Sequence, residues 1–96
     1  MEWVKLNTDA SVVGSRASGG GLLRDHSGKL IFSFSKEFGD VQVLQAEASA
    51  LSYGLQICIS KRFRKVLVEV DSKVLVSLIH SSDMSNWPLC KVLLLL

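Results

Sequence analysis

Val66-Leu67-Val68-Glu69-Val70-Asp71, followed by Ser72, decides the fold class. The segment is rich in β-branched residues and reads as a strand. Its flanks read differently. Upstream, from Gln45 to Ser60, Ala50, Gly54, Ile57 and Cys58 share one stripe, with Leu51 and Leu55 beside it. That spacing of three and four marks an amphipathic helix. Downstream, Ser72 is a good N-cap for a second helix. Val74, Leu75, Leu78 and Ile79 form its apolar face. A strand set between two helices makes the chain α/β.

Further upstream the period is two. Val4, Leu6 and Thr8 alternate with Lys5, Asn7 and Asp9, as in a strand. Gly14 to Gly21 is rich in Gly and Ser, so a turn is expected there. Gly21–Arg24 and Leu30–Ser35 are the next strands. Asp25-His26-Ser27-Gly28 between them has turn chemistry, with Asp at the start and Gly where a positive φ is needed. The three strands read as an antiparallel meander. The order is β-β-β-α-β-α, and a right-handed crossover follows if the fourth strand lies parallel to the first. Gly54 costs about 1 kcal/mol in mid-helix, which a close helix–sheet approach would explain. Asp83–Asn86 reads as a loop and Trp87-Pro88 as the start of a third helix.

Composition sets broad limits. The 96 residues fit one domain, and 48% of them are apolar, enough for a single core. Eleven basic and nine acidic residues leave a net charge of +2, too mild to announce nucleic-acid binding by itself. Cys58 and Cys90 match no zinc or CxxC pattern, and Cys58 reads as a buried, reduced thiol. An intracellular location is expected, with no membrane span, because the longest apolar run, Val92–Leu96, is far too short. Met1–Lys5 has no signal-peptide layout. Lys61, Arg62, Arg64 and Lys65 form the one basic cluster. It follows a helix C-terminus, where the dipole favours cations, so a structural role is expected, with a remote backbone contact as the alternative. His26 is expected to be solvated, and Trp3 and Trp87 to pack in the core or at its rim, with stacking on bases as the alternative.

Three carboxylates stand apart. Asp9 and Asp71 end the first and fourth strands, in step with Asn7 and Glu69 on the more polar faces. With those strands parallel, both emerge at the sheet edge where open α/β sheets bind ligands. Glu47, in the first helix turn, lies in line with Leu51 and Leu55 and so points at the sheet. Singly, each is a turn, cap or dipole residue. Together they would repel one another unless a divalent cation joined them. Mg²⁺ suits such a set of hard oxygens, and two ions about 3.5–4 Å apart can clamp a phosphoryl transfer.

Four segments carry a family resemblance. Trp3–Ala10 resembles the first strand of plant ribonuclease H domains, with its N-T-D segment. Gly19–Gly28 resembles their G-G-x-x-R-D-x-x-G hairpin. Ala46–Leu51 resembles the A-E-x-x-A-L helix start, and Val68–Ser72 the E-x-D-S strand end. The chain thus resembles a ribonuclease H type-1 domain of the plant and retroelement kind. The resemblance implies Asp9, Glu47 and Asp71 as catalytic metal ligands, Mg²⁺ (or Mn²⁺) as cofactor, and hydrolysis of the RNA strand of RNA–DNA hybrids.

The sequence also departs from that pattern. Ala10 replaces a Gly, Val43 and Leu44 occupy a region where cellular enzymes often carry Asn, and Lys73 stands where Gln is common. Residues 1–96 are expected to form a single ribonuclease H-like domain, incomplete at the C-terminus, lacking the final strand and helix. His80 and Asp83 are poor substitutes for the groups that segment carries. Leu93–Leu96 then reads as the start of a helix cut off mid-core, an apolar patch inviting self-association. Besides the nuclease, two alternatives stand: a non-catalytic nucleic-acid-binding remnant, and a truncated, self-associating fragment.

Overall fold

The computed structural model describes residues 3–70, 72–82 and 91–95, with side chains as far as Ser77. The elements are β1 (Val4–Val13), β2 (Arg16–Arg24), β3 (Leu30–Gly39), α1 (Val43–Ser60), β4 (Lys65–Glu69), α2 (Lys73–Ser82) and β5 (Lys91–Leu95). The strands form one mixed sheet in the order β3-β2-β1-β4-β5. β2 pairs antiparallel with β1 and β3, while β4 pairs parallel with β1 and β5. The expected mixed sheet and the β-β-β-α-β-α order are both present.

Alternation in β1 sets the two faces. Val4, Leu6 and Thr8 are buried, whereas Lys5 and Asn7 are half-exposed and Asp9 exposed. Leu6 stands opposite Leu23 of β2 and Val68 of β4, so an apolar row crosses three strands. α1 lays Leu51, Leu55 and Cys58 on that row, and Leu75 of α2 joins the same cluster. Each fully buried Leu or Val contributes about 1.5–3 kcal/mol relative to exposure.

Glycines let α1 approach closely. A Cβ on Gly54 would lie 2.9 Å from Leu6 Cδ2, and one on Gly19 would lie 2.9 Å from Ala50 Cβ. The close approach expected at Gly54 is therefore the arrangement found. The same glycines correct the expected turn at Gly14–Gly21. Only Gly14 (φ 62°) and Ser15 turn, and β2 begins at Arg16. Gly19 to Gly21 lie inside β2, where Gly19 makes room for Phe38 and Gly21 for the Phe34 ring.

The other boundaries mostly match. In the β2–β3 turn, Asp25 Oδ1 accepts hydrogen bonds from the Ser27 and Lys29 amides, and Gly28 has φ 86°. The Leu75 amide donates to Ser72 Oγ at 3.1 Å, the expected N-cap. Val74, placed on the apolar face of that helix, is 59% exposed instead. α1 starts two residues early, at Val43, because Gln42 makes no side-chain cap for a sequence reading to detect.

One expectation is overturned. The sequence pattern predicts a helix start at Leu93–Leu96 and no last strand. Lys91–Leu95 instead forms β5, in register with Lys65–Glu69. A short apolar run fits a strand as well as a helix, and the open edge of β4 supplies backbone partners that decide between them. Asp83–Asn86, Trp87-Pro88 and Cys90 lie outside the described residues.

Candidate active site

The site arises where two parallel strands part. The β1–β4 ladder ends at Asn7 opposite Glu69, while β1 continues alongside β2 as far as Val13 opposite Arg16. Beyond Asn7, nothing from β4 pairs with β1. A recess of about 10 Å³ opens there, lined by Thr8, Asp9, Glu47, Val70 and Leu75. That is room for about one water-sized particle. It sits off the carboxyl ends of the parallel strands, the usual ligand position in open α/β sheets.

Asp9 is the sixth residue of β1, so it is mid-strand rather than at the strand's end. What ends there is the pairing with β4. Asp9 is exposed, and its Oδ1 accepts a hydrogen bond from the Ala10 amide at 2.8 Å. Glu47 is the fifth residue of α1 rather than a first-turn residue, because the helix begins at Val43. Its alignment with Leu51 and Leu55, both buried, holds as expected. Glu47 Oε2 is buried without a hydrogen-bond partner among the described residues. Leaving such an acceptor unsatisfied costs about 1–3 kcal/mol, and more if it is charged.

The structure thus brings Asp9 and Glu47 to one recess. Asp71 lies outside the described residues; Val70, which precedes it, lines the same recess. Among the described residues no group of three or more His, Cys, Asp or Glu forms. Two hard carboxylates, one presenting a buried orphan oxygen, nevertheless fit a hard divalent cation such as Mg²⁺.

A larger groove of about 510 Å³ runs from Asp9 across the sheet face opposite α1. Asn7, Leu22, Ser33 and Glu69 are among its walls. Asn7 Nδ2 donates to Glu69 Oε2 at 3.2 Å, and Lys5 Nζ pairs with the same oxygen at 2.6 Å. The hydrogen bond from Lys5, joined by that from Asn7, holds the Glu69 carboxyl below the usual glutamate range. In the sequence, Asn7 and Glu69 mark only strand phase. Their shared phase, combined with parallel pairing, was the signal that they would meet.

Residues 7–93 match the family described as reverse transcriptase-like. The chain belongs to that family. Within the reverse transcriptase-like family, the fold found here is that of ribonuclease H. A ribonuclease H1 from the archaeon Halobacterium salinarum superimposes with a TM-score of 0.78 at 21% identity, over 83% of this chain and 62% of that one. A ribonuclease H1 from a compost metagenome, solved in complex with an RNA/DNA hybrid, gives 0.74 at 17% identity, over 96% and 83%. An Arabidopsis thaliana protein that carries a ribonuclease H name is 38% identical over 89 residues, 91% of this chain. The chain spans only 14% of that protein's length.

Two further expectations meet the structure here. No helix among the described residues is long and apolar enough to cross a membrane. Self-association through a dangling C-terminal helix is not supported, since the Lys91–Leu95 backbone is paired to β4.

Proposed function

We propose that this chain hydrolyses the RNA strand of RNA–DNA hybrids, with Asp9, Glu47 and Asp71 holding Mg²⁺ or Mn²⁺. The observation that carries the reading is the buried, unpartnered Oε2 of Glu47, a residue that lines one recess together with Asp9. Such an atom needs a proton, a donor or a cation. When bound, the cation would activate a water and offset charge on the phosphate under attack. The chain's own part is placement. α1 fixes Glu47 through Leu51 and Leu55 in the core beneath it, and β1 presents Asp9 to solvent. The adjoining groove gives a nucleic-acid backbone a path to Asp9, floored by small residues such as Gly20 and Ser33. The likeness to a ribonuclease H1 solved with an RNA/DNA hybrid supports the same substrate class.

A second reading, hybrid binding without cleavage, draws on Val43. It is 46% exposed at the start of α1, in the region where the resemblance calls for an Asn. One experiment separates the two. The purified chain is incubated with end-labelled RNA–DNA hybrid and Mg²⁺, beside Asp71→Asn and a chelator control. RNA-strand cleavage that vanishes in both controls is the expected result. A folded chain that binds hybrid and leaves it intact would establish the second reading.

A further inference from the structure

The end of the sheet opposite Asp9 has the reverse character. The last residue of β2, the β2–β3 turn, the α1–β4 connection and the first residue of β4 all lie there, because β1, β3 and β4 start at that end. Arg24, Lys29, Lys61, Arg62, Arg64 and Lys65 occupy these segments, six of the chain's eleven Lys and Arg. Lys91 starts β5 in register with Lys65.

Neutralisation is slight. Lys5–Glu69 is the ion pair formed among the described residues, and none of these six takes part in one. Asp25 is the acid in the nearby turn, and its Oδ1 already accepts from the Ser27 amide, Ser27 Oγ and the Lys29 amide. Lys61, Arg62 and Arg64 are exposed, and Lys61 Nζ sits 5.5 Å from the Phe32 ring centroid, which ties the α1–β4 connection to β3.

Arg62 supplies an independent observation. Its φ is 65°, the one left-handed non-glycine residue among those described. The Arg62 amide donates to Ile59 O and the Phe63 amide to Cys58 O, the pattern that closes a helix and calls for glycine at this position. An arginine there is strained relative to glycine. Retained strain at an exposed guanidinium points toward use of that side chain. A cation favoured by the helix dipole alone needs no left-handed position, since the neighbouring Lys61 already provides one.

We propose that this basic pole is a second phosphate-backbone contact surface for nucleic acid, separate from the carboxylate site and independent of metal. Cations spread over two connections and the strand ends beside them match a regularly charged phosphodiester backbone better than one folded acidic peptide. The surface contacts backbone and not base edges, so binding there is insensitive to sequence. It would hold a duplex segment away from the recess, whatever the recess does to its own substrate.

The test is fluorescence anisotropy of the chain with a short labelled DNA duplex in chelator, over a salt series. The chelator removes any metal-bridged phosphate contact at the carboxylate site, so the salt dependence reports on the cations. The variants are Arg62→Gly alone and Lys61→Gln/Arg62→Gly/Arg64→Gln, each checked for native circular dichroism. Wild type should bind with a steep salt dependence. The triple variant should bind roughly tenfold or more weakly at low salt, and its log–log salt slope should be shallower by about 3, one for each cation removed. Arg62→Gly should raise the melting temperature while weakening binding, which a purely structural cation would not do. An unchanged slope in the triple variant overturns the inference. So does displacement of duplex by polyglutamate as effective as by unlabelled duplex, which would make the pole a site for acidic polypeptides. A lower melting temperature with unchanged binding in Arg62→Gly would make Arg62 a structural cap and also overturn it. The cleavage assay is separate: loss of cleavage with this binding intact removes only the proposed nuclease function.

Discussion

The two faces of the sheet follow different rules, although the same strands make both. On the face under α1, side chains leave no room: Leu6, Leu23, Leu55, Val66 and Val68 are essentially buried, and Gly19, Gly21 and Gly54 each sit where a Cβ would collide. On the opposite face, Lys5, Asn7 and Glu69 are tied by polar contacts beside a groove of about 510 Å³. One face holds the chain together, and the other leaves surface free for a ligand. The recess with Asp9 and Glu47 lies at the boundary, so the site draws its rigidity from the first face and its access from the second.

The largest effect should come from breaking the covered face. Leu55→Ala removes a core side chain that is 2% exposed and should cost about 2–5 kcal/mol. Leu22→Ala, on the groove side opposite Asn7, should cost less than about 1 kcal/mol. Urea midpoints of the two variants test the contrast. Equal losses would mean that the groove face is packed as tightly as the core.

Next comes the boundary. Glu47→Gln should lower hybrid cleavage by at least about a hundredfold, or about 3 kcal/mol in the barrier. The same change should not destabilise the fold, because it replaces a half-buried carboxylate whose Oε2 is buried without a hydrogen-bond partner among the described residues. Wild type should melt at higher temperature with added Mg²⁺, and Glu47→Gln should lose that response. Loss of activity accompanied by unfolding would show instead that Glu47 serves the core.

The glycines of β2 give a smaller test of the covered face. Gly19→Ala would bring a Cβ within 2.8 Å of the Phe38 ring, 2.9 Å of Ala50 Cβ and 3.1 Å of the Asp9 carbonyl, the last two fixed by the helix and strand backbones. About 1–3 kcal/mol of destabilisation is expected, read as a fall in urea midpoint. Gly14→Ala meets nothing within 4 Å and is penalised only for its φ of 62°. It should cost about 1 kcal/mol.

These contrasts also show what was legible in the sequence. Period-two alternation in Val4–Asp9 fixed which side of β1 faces the core, and the spacing Glu47–Leu51–Leu55 aimed the carboxylate correctly. Both are local patterns. Less legible was anything set by a distant partner. The glycine run reads as a turn in the sequence because the rings of Phe34 and Phe38, which require it, come more than ten residues later. Leu93–Leu96 reads as a helix start in isolation because a short apolar run takes its form from the strand beside it. The Asn7–Glu69 contact spans 62 positions and exists only once β1 and β4 are parallel neighbours.

The smallest effect, on the open face, is one of pH. Lys5 and Asn7 stabilise ionised Glu69 and depress its pKa in the folded state. A depressed carboxylate contributes stability above its unfolded pKa, and that stability disappears as pH falls through the folded pKa. The contribution is therefore present at neutral pH and lost below the ordinary glutamate range. Asp25, whose carboxyl is lowered mainly by the Ser27 hydroxyl and the Lys29 amide, follows the same sign. Glu69→Gln should thus flatten the acid limb of a stability–pH profile slightly and leave Asp25's share in place. Adding salt should shrink the Glu69 share, since the pair with Lys5 is open to solvent, and leave the Asp25 share nearly unchanged because neutral donors dominate it. A profile in which both shares fell equally with salt would mean that the open face is held by net charge rather than by the specific Lys5–Glu69–Asn7 contacts.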